Sequence, residues 1–477
     1  MSVNVTLRAT SSLSPARKSA GLARPPKVVS LLLAGGGVCM TGIPTAAGSF
    51  SRWSLAIFAS LFVIGIFGLL TKRPALDNLL LAAWCVATIV FLGEGGMELF
   101  RHLADSRDVT RKLEFAAAHG TSFDLRSQSE YVLATRARGT EMYRVFPRGL
   151  LLQVRDHAPS QTVLTADDGT PLLPLGSISN VLTAAGNETG QYLVYMSDEH
   201  GFHNPSGIWS LPRLKIAAVG DSFVHGESVP SESNMIAVIR REIPETLNLG
   251  HSGNGPLSEL ATILEYLPQR RPDIVLWVFC EENDLQEDLE REKHSGLMMG
   301  YLDRPVRLQH LEARQREIDE KLRGYFEAQL ASTIAQRPSS GLWLKNWLAL
   351  HELTFAVSAF RQPDEDFALF ERVLTVAKST VSSWNGSLVF VYLPMQRLAK
   401  PQPFGIDRSA RHTREQVLQI ASRLSIPVLD IETRFVAERS RLHEYFYPFH
   451  AHLTETGYRR VGELVMEELR TRGLLRE

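Results

Sequence analysis

The segment FYPFHAHLTETGYRRV places His450 and His452 two residues apart. On an extended chain that spacing turns both imidazoles to one side, where they could hold a metal, share a proton with a distant nucleophile, or do neither. His443 brings a third histidine within ten residues, which opens a metal reading for the three. A catalytic zinc also wants partners behind its ligands, and no other ligand spacing stands nearby. A second stretch, AAVGDSFVHGE, sets Ser222 directly after an apolar run, with Gly220 before it and a helical pattern after it. A serine there sits on a sharp turn, hydroxyl exposed, beside a helix amino terminus that favours negative charge. Equally, Asp221 or Ser222 could simply cap the helix. His225 and Glu227, just beyond, line a pocket or stand on a solvated loop.

The elements that must position these residues are legible from residue 213 onward. LKIAAVG (214–220), TLNLG (246–250), DIVLWVFC (273–280), SLVFVYLP (387–394) and IPVLDI (426–431) are near-continuous apolar runs separated by helical patterns. Such runs are strands buried on both faces. They predict an α/β domain over 196–477 with a parallel sheet of about five strands, which binds ligands at the carboxyl ends of its strands. A long connection, about 285–372, carries a charged helical stretch and then an aromatic one. An extra helical layer packed on the sheet is preferred there to a lid or membrane-facing surface. Residues 96–195 read as a small strand-rich connecting region with no evident chemistry of its own.

The first hundred residues hold the long apolar runs. Residues 53–70 are uncharged and approach the ~20 residues a helix needs to cross a bilayer; 28–48 and 75–92 are further candidate spans. Basic residues in 1–27, and Lys72 with Arg73 between the second and third runs, favour three crossings, which place everything after about residue 95 outside the cytoplasm. The expected location is the inner membrane, with the folded domain extracytoplasmic or periplasmic. Charges balance at 51 basic against 52 acidic residues, so nucleic acid has no global electrostatic support. Cys39, Cys85 and Cys280 match no disulfide framework or zinc spacing.

Taken together the motifs resemble the SGNH (GDSL-type) hydrolases, whose serine, glycine, asparagine and histidine stand in four successive blocks. GDSF at 220–223 is similar to the first block, NLGHSG at 248–253 to the second, EEND at 281–284 to the third and HAHLTETGY to the last. The leader SDEHGFHNPSGIW is similar to the segment before the first block in membrane-anchored bacterial members. The resemblance covers about 190–475 and implies a flavodoxin-like three-layer α/β/α fold and no cofactor. It also implies Ser222 as nucleophile and His452 as base, with an oxyanion hole of the Ser222 and Gly253 N–H groups and the Asn283 amide. Gly250 is the fallback for Gly253, and Glu281 stands where the family has glycine. From the residues alone, Gly253 also reads as a turn glycine and Asn283 as a helix cap.

One position departs from the family. The aspartate that orients the histidine, two or three residues before it, is replaced by His450 or Phe449. His452 could be oriented by a backbone carbonyl, by His450, or by a carboxylate from elsewhere such as Glu444 or Asp430, the latter otherwise structural. The expectation is a membrane-anchored serine esterase or O-acyltransferase acting on ester groups of carbohydrate or lipid. The alternative is a catalytically silent membrane protein using this fold for binding or scaffolding.

Overall fold

A computed structural model describes residues 74–475 except 119, 156–157, 304–305, 336–349, 351–352, 354–365, 400–403 and 448–451. Contacts divide the chain into two compact units, 1–104 with 338–361 and 105–337 with 362–477.

The strand-rich region holds β1 (Met142–Arg144), β2 (Leu152–Arg155), β3 (Ala158–Thr162), β4 (Leu164–Thr165), β5 (Pro171–Leu172), β6 (Leu182–Ala184) and β7 (Val194–Met196), and five further strands form the central sheet: β8 (Ile216–Val219), β9 (Thr246–Asn248), β10 (Ile274–Cys280), β11 (Ser387–Leu393) and β12 (Val428–Asp430). Their spatial order is β12-β11-β10-β8-β9, with every pairing parallel. Counted along the sheet this is the 2-1-3-4-5 order of flavodoxin-like folds, and the order reverses between β8 and β10. The apolar runs alternate between two cores. Ala217, Val219, Val275, Trp277, Phe279, Phe390 and Tyr392 point into one; Ile216, Ala218, Leu276, Val278, Val389 and Val391 point into the other. A strand buried on both sides can carry apolar residues at every position, which is why these runs were legible without any polar alternation.

Helices cover both faces. One face packs under α4 (Pro256–Tyr266) and α6 (Phe367–Ser382), and the other under α3 (Met235–Glu242) and α8 (Glu455–Thr471). The turn helix α2 is short, Ser222–His225, whereas α1 (Pro74–Ala118) is 45 residues long. The first core also takes in Phe146, Leu151, Leu172 and Ile178 of the strand-rich region, so that region is packed onto the α/β layers.

Two expectations change. Helix α5 (Gln315–Ala335), the charged stretch of the long connection, packs on the strand-rich region rather than as a layer on the sheet. Phe326 meets Tyr143 at 5.5 Å and Phe146 at 6.3 Å, Arg136 pairs with Glu327 at 2.6 Å, and Asp319 accepts from Ser179 N–H at 2.9 Å. Part of its charge thus partners neighbouring polar groups, while Arg316, Glu320 and Glu327 stay exposed. The aromatic stretch 341–360 lies almost wholly outside the described residues. The third candidate span, 75–92, falls on α1, which runs on into Glu94, Glu98 and Arg101. Among the described residues no helix is long and apolar enough to cross a membrane; the runs 28–48 and 53–70 lie outside them.

Candidate active site

The loops after β8, β9 and β10 meet where the strand order reverses. Ser222 opens α2 directly after β8, with Asp221 as its cap: the Asp221 carboxylate accepts from Phe223 N–H at 2.9 Å. Gly220 is needed because a Cβ there would run into the Val224 side chain and approach Val278 O at 3.1 Å. His452 stands just before α8, whose cap Thr454 donates its N–H to Tyr445 O at 3.0 Å. Ser222 Oγ lies 2.7 Å from His452 Nε2. The two residues are 230 positions apart in the chain, and the fold brings them into hydrogen-bonding contact.

The other ring nitrogen meets a carboxylate that the sequence did not single out. Glu188 Oε1 and Oε2 lie 2.8 and 2.7 Å from His452 Nδ1. Glu188 belongs to the tip of a hairpin between β6 (Leu182–Ala184) and β7 (Val194–Met196), strands paired antiparallel in the strand-rich region. Ala185 N–H to Leu193 O at 2.8 Å and Leu193 N–H to Gly186 O at 3.1 Å extend the pairing to the tip. Asp124 pins it from outside, donating its N–H to Gly190 O at 2.8 Å and accepting at its own carbonyl from Asn187 Nδ2 at 2.6 Å. The region expected to lack chemistry thus carries the carboxylate that meets His452. In the sequence it appears only as AAGNETG, a turn-forming cluster like many others.

The carboxylates proposed from sequence are engaged elsewhere. Asp430 accepts from Thr433 Oγ1 at 2.5 Å and from Arg414; Glu444 pairs with Arg441 at 3.0 Å. The Asp430 partner comes from the helix Phe404–Arg423, and the Glu444 partner lies three residues earlier in the chain. His443 is exposed, and His450 lies outside the described residues. His225 and Glu227 are not on a solvated loop: His225 is buried with Nε2 2.9 Å from Tyr195 OH, and Glu227 accepts from Ser252 Oγ. Glu281, in the place of the family glycine, is held by Arg397 at 2.8 Å and by Met395 N–H at 3.0 Å.

The expected oxyanion donors stand on the loops after β8, β9 and β10. The N–H groups of Ser222 and Gly253 donate to no acceptor among the described residues. Gly253 has φ 71°, a left-handed value that glycine adopts without strain, and Arg148 N lies 3.2 Å from where a Cβ would stand. Gly250 is less suited, since its N–H already donates to Asn248 Oδ1 at 2.9 Å. Asn283 follows β10 as the residue before the π-helical turn Asp284–Leu289. Its Nδ2 donates to Asp288 Oδ2 at 2.6 Å, its Oδ1 is buried without a partner, and the amide also favours the charged form of Asp221.

Electrostatics bear on the imidazole from several sides. Burial opposes a charge on His452, but the Glu188 carboxylate outweighs it, aided by Glu227 and Asp221, and raises its pKa from 6.5 to about 9. Glu282, which the sequence reading passed over, is half-buried beside this group, and burial pushes its carboxyl up to about 7 against the pull of His452. A cavity of about 480 Å³ opens beside the hairpin tip, lined by Asn187, Glu227, Tyr192, Arg126 and Lys112 among others. A second cavity of about 530 Å³ is lined by His203, Ser231 and Arg240, and neither cavity is lined by Ser222, His452 or Glu188.

Chemically, a hydroxyl hydrogen-bonded to an imidazole whose far nitrogen meets a carboxylate can pass its proton to the ring as it attacks, and the ring can return it to a leaving group. No family model and no curated protein matches the chain. Solved structures do align with it. A lipolytic protein of the G-D-S-L family from Desulfitobacterium hafniense DCB-2 is 15% identical, over 54% of this chain and 99% of that one, with TM-score 0.30. An acetyl xylan esterase, AlAXEase, is 11% identical over 54% and 100%, with TM-score 0.32. An α/β hydrolase enzyme from the metagenome of Lake Arreo, Spain, is 12% identical over 57% and 100%, with TM-score 0.32. At such scores the chemistry of the site rests on its own geometry.

Proposed function

We propose that the chain is a serine hydrolase of SGNH type acting on esters, with Ser222 as nucleophile, His452 as general base and acid, and Glu188 as the acid that orients His452. The observation that carries this reading is the continuous contact from Ser222 Oγ through both ring nitrogens of His452 to Glu188. Ser222 Oγ attacks the ester carbonyl while its proton passes to Nε2. The negative oxygen that develops is met by the N–H groups of Ser222 and Gly253 and the Asn283 amide, and the imidazolium returns its proton to the departing alkoxide. Water then releases the acyl group. A sugar hydroxyl in place of water makes the same intermediate the donor for O-acyl transfer.

The ester is carried by carbohydrate or lipid in this proposal, supported by the open cavity next to the hairpin tip, where Lys112, Arg126 and Asn187 stand among apolar residues such as Val109, Phe123 and Leu125. A fluorophosphonate probe applied to the purified full chain tests the chemistry: labelling is expected in the wild type and absent in Ser222→Ala. A wild type that takes no probe at Ser222 leaves only the binding or scaffolding role.

Anchoring in the cytoplasmic membrane, catalytic domain outside, is part of the same proposal. It is supported by the three apolar runs 28–48, 53–70 and 75–92, with basic residues before the first and Lys72 and Arg73 between the second and third, and by exposed Val86, Ile89, Leu92, Leu99 and Phe100 on α1. A topology reporter fused after residue 110 is expected to read outside the cytoplasm; a cytoplasmic signal there rejects this placement.

A further inference from the structure

Ser228 follows the nucleophile turn and is one of the few non-glycine residues with a left-handed backbone, φ 71°. It is also buried. A side chain in that region crowds the backbone, so a turn of this kind usually recruits glycine, asparagine or aspartate. Gly226, two residues earlier at φ 82°, already supplies one glycine reversal as the cap of α2. A second reversal that retains a serine needs a use for the hydroxyl.

That use is visible in the contacts. Ser228 Oγ donates to Glu188 Oε2, the carboxylate oxygen that also lies 2.7 Å from His452 Nδ1. Ser228 O in turn accepts from Tyr447 OH at 3.3 Å. Tyr447 is buried in the segment that leads to His452, and its ring meets Phe115 edge-on at 5.9 Å. Three parts of the site therefore meet at one residue: the turn after Ser222, the hairpin tip bearing Glu188, and the segment before His452.

We propose that Ser228 is a positioning residue, whose strained turn and donated hydroxyl fix the Glu188 carboxylate against His452 Nδ1. This rests on the hydrolase reading above and deepens it. A glutamate on a hairpin tip has three side-chain torsions to settle and arrives from outside the α/β layers, unlike an acid two residues before the histidine on the same strand end. One donor on the imidazole cannot hold it alone, because the carboxylate can rotate about that bond. A second donor from a different element leaves it one orientation. The hydrogen bond also favours the charged carboxylate, so the shared proton stays on the ring.

The test uses the full chain and two variants, Ser228→Ala and Ser228→Gly. The readouts are the downfield proton resonance of His452 Nδ1–H, identified by its loss in His452→Gln, together with kcat and KM on a chromogenic acetyl ester. Both variants are expected to shift or lose the resonance and to lower kcat about 10- to 100-fold with KM little changed. Ser228→Gly is expected to do so with a melting temperature equal to or above the wild type, because glycine relieves the backbone. An unmoved resonance in both variants overturns the proposal. A resonance that moves in a chain whose Ser222 takes no fluorophosphonate upholds the clamp and rejects the hydrolase instead.

Discussion

Glu188→Gln is expected to lower kcat by about 10,000-fold, the cost of leaving a serine-triad histidine in the wrong tautomer. The amide NH2 can face Nδ1 as a donor, which places the ring proton on Nε2, where it meets Ser222 Oγ and blocks the transfer. A second consequence separates this from simple unfolding. In the wild type the base must be neutral, and with its pKa raised to about 9 roughly one imidazole in a hundred is neutral at pH 7, so kcat/KM climbs about tenfold per pH unit until near 9. Without the Glu188 charge only Glu227 and Asp221 remain to offset burial, and the acid limb moves down by more than a unit. Stability follows the same group. The pKa of His452 is raised above its ordinary 6.5, so the ion pair contributes fully below 6.5 and is lost as pH rises through about 9. Relative to Glu188→Gln, the wild type should lose roughly 3 kcal/mol across that window. A pH–rate profile and denaturant midpoints for both proteins measure this. A variant within tenfold of wild-type kcat, or with an unmoved acid limb, would remove Glu188 from its assigned role.

The approximate bounds of all five sheet strands could be read from the chain, and the reason is physical. Each is apolar at every position, because each is covered by helices on both sides, so no register had to be guessed. Ser222, Gly253, Asn283 and His452 each stand just beyond a strand or just before a helix, where local rules about turns and caps apply. Glu188 obeys no such rule. It reaches His452 from 264 residues away, on a hairpin whose strands are three residues each, and its place depends on how the strand-rich region packs onto the sheet. Contacts of that kind leave no periodicity in the sequence. From the sequence, the orienting group for His452 stays open between a backbone carbonyl, His450 and a carboxylate such as Glu444 or Asp430, and both of those acids have arginine partners. Ser228 was invisible for a related cause, since its left-handed backbone is imposed by tertiary contacts on a residue type that does not advertise it.

Removing the Asn283 amide is the second large effect expected of this site. Asn283→Ala should lower kcat about 100- to 1,000-fold while KM stays close to wild type, because in the proposed mechanism the donor meets charge that forms only with the tetrahedral intermediate. The ground state gives the amide a holding partner, Asp288 at 2.6 Å. That acid is not abandoned in the variant, since Arg291 Nη1 also donates to it at 2.7 Å. The structural cost of the change is thus smaller than for a sole partner of a buried charge. Asn283→Asp makes the sharper comparison. It keeps the shape but sets a further acidic group beside Asp221 and Asp288, both already pushed toward their neutral forms by burial, and beside the oxygen that must become negative. Its rate should fall below that of the alanine variant. Steady-state kinetics with melting temperatures for the three proteins decide the matter. If Asn283→Ala keeps kcat within tenfold of wild type, stabilisation of the oxyanion falls to the Ser222 and Gly253 N–H groups, and Asn283 is a cap on the turn after β10.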